Sequence, residues 1–261
     1  MKRRHWIEIS NQPWCPRGIR NAVTDYCRFV TELSGIYDAV APVLIDALEQ
    51  TGGRLVLHLG SGAAGPWLRL QPLLRKLGLD VTVCLSDHNP DVVAFERARR
   101  LSRHVLVYHA KLVDATQVPG LPGFQTMFSA FHHLDPDQAR AALADAVAQG
   151  EGIAVFEMGG GRSVLMLLAV IPFPVRVLFA VPFLRPFRWS TLLWTYLVPS
   201  LPIVLLLDSI LSVLRIHNRE ELHGLTTGLD SYSWSIGTVR GKPIPVPVLY
   251  LVGVPNRKGA E

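Results

Sequence analysis

Between residues 55 and 156 the chain alternates short apolar runs with stretches of helical period, and that alternation leaves few folds open. Residues 55–59, 81–85, 105–108, 126–129 and 152–156 are too short for helices and are bounded by glycine or polar residues, so they read as buried strands. Residues 66–77, 91–102 and 136–148 read as the helices between them. Pro66 falls near a first helical turn, where no backbone donor is needed. Strand and helix in turn, at these lengths, build a parallel sheet wound on both faces.

The flanks extend this pattern. Ile19, Val23, Tyr26, Val30, Leu33, Tyr37, Val40, Leu44 and Leu48 recur near helical period, with Pro42 expected to divide the stretch into two helices before Gly52-Gly53 ends it. Near the C-terminus, Tyr232, Trp234, Ile236 and Thr238 alternate with Ser233, Ser235 and Gly237. Gly241 and Pro243 mark a turn, and 245–254 follows as a second strand, an antiparallel hairpin. The expected fold is therefore α/β: a doubly wound, mostly parallel, seven-stranded Rossmann-like sheet with an antiparallel C-terminal hairpin. An apolar helical insertion follows the fifth strand. The expected divisions are 1–53 as an N-terminal helical cap, 54–161 with 230–255 as the core, and 162–229 as the insertion.

Composition matters most in that insertion. The chain is 49% hydrophobic and 18% charged, against roughly 25% charged in ordinary soluble domains. Either much of it is buried or part of it meets lipid. After Gly159-Gly160-Gly161 come two very apolar stretches, and residues 189–207 carry no charge, close to the ~20 residues that cross a bilayer. Pro199 and Pro202 interrupt the second stretch; Pro172, Pro174, Pro182 and Arg176 interrupt the first, and an arginine is costly at a bilayer centre. Broken helices forming a lid, a membrane-surface patch or a re-entrant hairpin are favoured over two spans. Arg176, Arg185 and Arg188, interleaved with Phe179, Phe183, Phe187 and Trp189, suit a lipid headgroup interface for 162–215; a buried helical cap or a dimer interface is the alternative.

The net charge of +5 is modest and lacks the basic-aromatic interleaving that grips nucleic acid; Lys2-Arg3-Arg4 and Arg97, Arg99, Arg100 and Arg103 are its only basic clusters. Cys15, Cys27 and Cys84 have no metal-ligand spacing, and no apolar signal segment follows the first residues. The expected setting is cytoplasmic, or peripheral at the inner face of a membrane, with no metal. The oligomeric state is left open.

The candidate site begins in "LHLGSGAAGPW", where Gly60, Ser61, Gly62 and Gly65 fit G-x-G-x-x-G after the first strand. Glycines there let the backbone turn tightly and approach a ligand closely. Asp87 closes the second strand; its carboxylate can accept from both ribose hydroxyls of NAD or of S-adenosylmethionine (SAM), or it can cap a turn before Asn89-Pro90. After the third strand, Asp114 can accept the exocyclic amine of adenine while Ala115 leaves room for the ring. "MFSAFHHLDP" follows the fourth strand, and no Tyr-x-x-x-Lys pair of a dehydrogenase occurs.

Taken together, these sites resemble class I SAM-dependent methyltransferases over about residues 15–158 and, more loosely, 230–255. Two positions depart from the pattern: His58 stands where the family often has an acid, and Ala64 where it has its third glycine. The resemblance implies SAM as cofactor, with His58, Gly60, Ser61, Gly62, Gly65, Asp87, His88, Asp114, Ala115, Ser129, Ala130 and Phe131 around it. It also implies an N-terminal segment bearing Trp14, Arg20 and Tyr26, in which Arg20 would meet the methionine carboxylate and Asp25 the amine, unless these are ordinary surface residues. His132, His133 and Glu157 lie where the family places substrate-facing groups, and each is a candidate base; the histidines could instead pack or cap the next helix. The implied activity is in-line transfer of a methyl group to an O or N atom of a hydrophobic or lipid-like acceptor. No Asn-Pro-Pro-Tyr-type motif points to nucleic-acid bases. A catalytically idle, membrane-associated SAM-binding module and an NAD-dependent oxidoreductase are the other readings.

Overall fold

The five parallel strands form within two residues of their expected starts: β1 (Leu55–His58), β2 (Thr82–Leu85), β3 (Leu106–Tyr108), β4 (Phe124–Phe128) and β5 (Ile153–Met158). The computed structural model describes residues 8–241 and 246–256. Lys2-Arg3-Arg4 and the turn residue Pro243 lie outside the described residues. The hairpin strands β6 (Tyr232–Arg240) and β7 (Pro247–Pro255) complete a seven-stranded sheet in the order β3-β2-β1-β4-β5-β7-β6. All pairs through β5 are parallel, and β7 runs antiparallel to both β5 and β6.

Alternation along the strands supplies two cores. On β5, Ala154 and Phe156 join Val56, Phe124 and Phe128 on one face, under α2 (Ala41–Thr51), α3 (Trp67–Lys76) and α4 (Val92–Leu101). Ile153 and Val155 join Leu57, Met127 and Leu249 on the other, under α5 (Pro136–Gln149) and α10 (Arg219–Thr226). Both faces are covered, as a parallel sheet requires.

The chain divides into two compact units, Gly35–Gly160 with Asn218–Glu261 and Met1–Ser34 with Gly161–His217. These limits differ from the expected divisions. The N-terminal helices part at Gly35, not at Pro42. Gly35 takes a left-handed φ of 57° between α1 (Arg17–Ser34) and the 3-10 turn Ile36–Val40, whereas Pro42 sits harmlessly in the first turn of α2. Leu44 and Leu48 of α2 then enter the sheet core. At the far end, α10 belongs to the sheet unit because Leu222 and Leu225 pack with Leu143 and Ala146 of α5.

The second unit is helical: α1, α6 (Val164–Val170), α7 (Phe173–Ala180), α8 (Trp189–Leu192), a π-helical turn at Leu193–Leu197, and α9 (Ser200–Arg215). Its small core joins Ile19, Ala22 and Tyr26 to Val177, Val181, Leu201, Val204 and Leu205. Asp208 of α9 points inward and accepts hydrogen bonds from the backbone N–H groups of Ile9 (2.7 Å) and Ser10 (3.0 Å). The stretch Val164–Phe183, with a mean hydropathy of 2.5, is long and apolar enough to cross a bilayer, and so is the pair Trp189–Leu197 with Ser200–Arg215, bent by 83°. The break expected from the prolines is present in the second stretch, whereas the first, despite Pro172, Pro174 and Pro182, runs as one apolar helical stretch.

Gly253 on β7 faces Trp234 of β6 so closely that an added Cβ would overlap the indole ring. Gly253→Ala is expected to lower stability by about 1–3 kcal/mol through overpacking, read as a lower urea midpoint with an unchanged slope.

Candidate functional site

The glycine loop, Asp87, Asp114, the segment after β4 and Glu157 all lie at the carboxyl ends of the parallel strands, the edge where open α/β sheets bind ligands. Direct contacts link them. The Asp87 carboxylate accepts the N–H of Gly62 (2.8 Å) through one oxygen and that of Asn89 (2.9 Å) through the other. Its backbone carbonyl accepts the N–H of Val113 (2.9 Å), which fixes the chain just before Asp114. Asp87 therefore brings three loops together. The alternative turn role is also present, in the bond from Asn89 N–H, while the next helix is capped by Asp91, whose side chain accepts from Ala94 N–H (3.0 Å).

The loop itself is wound by left-handed residues: Gly60 (φ 66°), Gly62 (52°), Ala64 (81°) and Gly65 (53°). Ala64 thus holds the conformation of the third glycine despite its Cβ. Its methyl is fully buried in the core, which offsets the local cost. Ser61 is buried as a brace: its hydroxyl donates to the His58 carbonyl (2.8 Å) and accepts from Ser86 N–H (3.1 Å). A Cβ at Gly60 would lie 2.9 Å from that of Ala130, so the loop passes closely over the segment after β4.

His58 lies beneath this loop, fully buried, with its ring edge-on to Trp67 and Phe128. Its Nδ1 is 3.1 Å from the Thr126 carbonyl, so Nδ1–H is the donor in the neutral ring. Burial pushes its pKa down to about 4, with the Thr126 bond opposing the shift. Its Nε2 would lie 3.0 Å from a Cβ at Gly65, so the ring props the loop from below.

After β3, Asp114 accepts from the N–H (2.8 Å) and hydroxyl (2.7 Å) of Thr116 through one oxygen. Those two bonds, stronger than the effect of burial and aided by nearby His88, hold it below the usual carboxylate range. Ala115 is half-buried beside it, and His88 is exposed. After β4, Ser129 takes a left-handed φ of 44° and its hydroxyl meets Tyr37 Oη at 2.6 Å. Phe131 is buried in the core. Tyr37 and Ser86 were legible only as core and strand-end residues; nothing in their spacing marked them as braces.

His132 and Glu157 form a buried pair. Glu157 Oε2 lies 2.7 Å from His132 Nδ1, and Oε1 accepts the His132 backbone N–H (3.0 Å). Burial alone would raise the Glu157 pKa; the charge on His132 and the hydrogen bonds outweigh it and hold the carboxyl below its usual range. The His133 ring centroid lies 4.3 Å from that of His132. Neither histidine caps α5, because Asp135 and Gln138 form its capping box.

The remaining expected cofactor residues sit in the helical unit. Tyr26 is buried in that unit's own core, edge-on to Phe173, which corrects its assignment as a ligand-facing group. Arg20 donates to the carbonyl oxygens of Gln12 (2.8 Å) and Cys15 (3.4 Å), and Asp25 pairs with Arg188 (3.1 Å). Both are engaged in holding that unit together, and Trp14 is exposed.

One feature of the sheet separates the two nucleoside-binding architectures. A dinucleotide-binding sheet runs 3-2-1-4-5-6; here an antiparallel strand enters between β5 and β6. No family model matches the chain, and no curated protein does. Among solved structures it is similar to the S-adenosylmethionine-dependent methyltransferase SibL, at 15% identity and a TM-score of 0.51, over 84% of this chain and 56% of SibL. It is similar to the pyocyanin biosynthetic protein PhzM at 13% identity and a TM-score of 0.50, over 85% of this chain and 56% of PhzM. It also matches magnesium protoporphyrin IX methyltransferase ChlM from Synechocystis PCC 6803, at 12% identity and a TM-score of 0.47, over 87% and 89% of the two chains. The chain has the class I SAM-dependent methyltransferase fold. It spans a little over half the length of SibL and of PhzM.

The His58 ring supplies a pH test. Its folded pKa lies below the unfolded value of about 6.5, so its contribution to stability is intact above pH 6.5 and is lost as pH falls toward about 4. Denaturation of the wild type should show this loss, and His58→Gln should flatten it in that window.

Proposed function

We propose that the protein is a SAM-dependent methyltransferase that modifies an O or N atom of a hydrophobic or lipid-like acceptor. The observation that carries this reading is Asp87, which couples the glycine loop to the ends of β2 and β3 in a sheet of methyltransferase order. The donor set fits the group. A loop of left-handed residues passes at close range, Asp87 can accept from ribose hydroxyls, and Asp114 keeps its second oxygen for an adenine amine. Ala115, Ser129, Ala130 and His88 lie around these acids at the same edge.

SAM, when bound, supplies a methyl group already activated on a sulfonium. The protein's task is to align the acceptor and exclude water. Glu157, ionised at neutral pH, fixes the Nδ1–H tautomer of His132. Nε2, the unprotonated nitrogen of that tautomer, is then the atom that takes a proton from the acceptor, with Glu157 as a positioning residue. The pairing with Glu157 favours His132 over His133 as the base. The absence of acidic side chains between residues 164 and 207, together with their high apolar content, favours an acceptor of low polarity.

Calorimetry with SAM tests the cofactor. Asp87→Ala should weaken binding roughly ten- to a hundredfold, the ~1.5–3 kcal/mol of a charged hydrogen bond, with Asp87→Asn intermediate. Nicotinamide dinucleotide binding with no response to SAM would replace this reading. For the base, Glu157→Gln should leave SAM affinity unchanged and lower kcat by ~10²-fold. It should also move the acid limb of the kcat profile to lower pH, because His132 loses its anionic partner; an unmoved limb removes the dyad from the mechanism.

A further inference from the structure

Along the helical stretch Val164–Phe183, the exposed large apolar residues are Val164, Leu165, Leu168, Ile171, Val175, Leu178, Phe179 and Phe183. Their spacing of three or four places them on one side of the rod. Val170, Val177 and Val181 are buried on the other. A solvent-facing helix normally turns its charged residues outward. Here the outward side is apolar as well, and Arg176 is its single charge. The pattern continues beyond this rod: Phe187, Trp189, Leu193, Tyr196 and Leu197 are also exposed.

From this inverted pattern we infer that the helical unit docks, without spanning, onto the surface of an anionic lipid bilayer. Charge decides the occupant. Between residues 164 and 207 there are three arginines and neither an aspartate nor a glutamate. Arg188 is already paired with Asp25; a second copy of the same face would set Arg176 and Arg185 against like charges, whereas lipid phosphates answer both directly. The side chains of Arg176 and Arg185 are exposed, and their aliphatic stems can lie along apolar surface while the guanidinium groups reach the headgroups. Trp189 and Tyr196 are of the type that settles at a membrane interface.

A spanning arrangement conflicts with the packing. Val177 and Val181 are held against Leu201, Val204 and Leu205 of α9, and Asp208 of α9 is tied to the N–H groups of Ile9 and Ser10. Pulling the rod into a bilayer would break that core. An in-plane position submerges the exposed stripe and leaves the core intact.

The test is sedimentation of the full-length protein with vesicles of phosphatidylcholine alone and with 30% phosphatidylglycerol, paired with SAM calorimetry on the same samples. Binding to the mixed vesicles at least ~tenfold tighter than to neutral ones is expected, with the protein released by alkaline carbonate. Phe179→Ser with Phe183→Ser and Trp189→Ser should abolish sedimentation, and Arg176→Glu with Arg185→Glu should remove the preference for the anionic lipid; both sets should keep SAM affinity. Retention after carbonate would overturn the in-plane docking. A stable dimer that ignores vesicles, broken by the same serine substitutions, would overturn the lipid in favour of a second copy. Because SAM affinity is read separately, loss of vesicle binding and loss of the cofactor assignment are distinct results.

Discussion

The site hangs on one carboxylate. Asp87 accepts from Gly62 in the loop after β1 and from Asn89 in its own loop, while its carbonyl accepts from Val113 in the loop after β3. Parallel strands place these loops at one edge but do nothing to fix their mutual spacing. Hydrogen bonds to a carboxylate are roughly twice as strong as neutral ones, so the Asp87 side chain ties the loop after β1 to its own loop, and its backbone carbonyl ties on the loop after β3. Each oxygen keeps accepting capacity beyond the bond it makes. The group that assembles the loops therefore retains capacity to accept from a ligand.

Beneath that edge the buried polar groups divide by charge. His58 is pushed to its neutral form and supports the loop without imposing a charge on it. Glu157 is kept ionised because His132 meets both of its oxygens. Burial acts on both, and what separates the outcomes is the partner: a carbonyl cannot stabilise an imidazolium as an imidazole N–H stabilises a carboxylate. Where the family's usual pattern places an acid before the glycine loop, this chain has a neutral prop, and its buried carboxylate lies at the end of β5 instead.

How much of this was legible depended on whether the signal was local. Strand positions and the hairpin alternation are local, and they emerged within two residues or so. Gly35 outweighed Pro42 as the helix break because a proline in a first turn costs nothing, while a left-handed glycine ends a helix. The helix α10 was missed although Asn218 and Glu221 form a capping box, a signal present in the sequence. The burial of His58, the Tyr37–Ser129 contact and the engagement of Arg20 are long-range or conformational facts. Residue type pointed to ligands for His58 and Arg20, and packing gives both structural work.

The same distinction explains the composition. In the sheet unit, amphipathicity runs the ordinary way: α4 buries Phe95 and Ala98 and turns Arg99 and Arg100 toward solvent. A chain with 49% hydrophobic residues could have carried its excess inside a larger core. It does not. The core of the helical unit is small, and most of the exposed large apolar side chains among the described residues lie between 164 and 207. Low charge content therefore arises here from a surface that lacks charge, not from an interior that has grown. That surface departs from the rule followed by the rest of the chain while the helices beneath it remain specifically packed, which separates a built interface from a failure to fold.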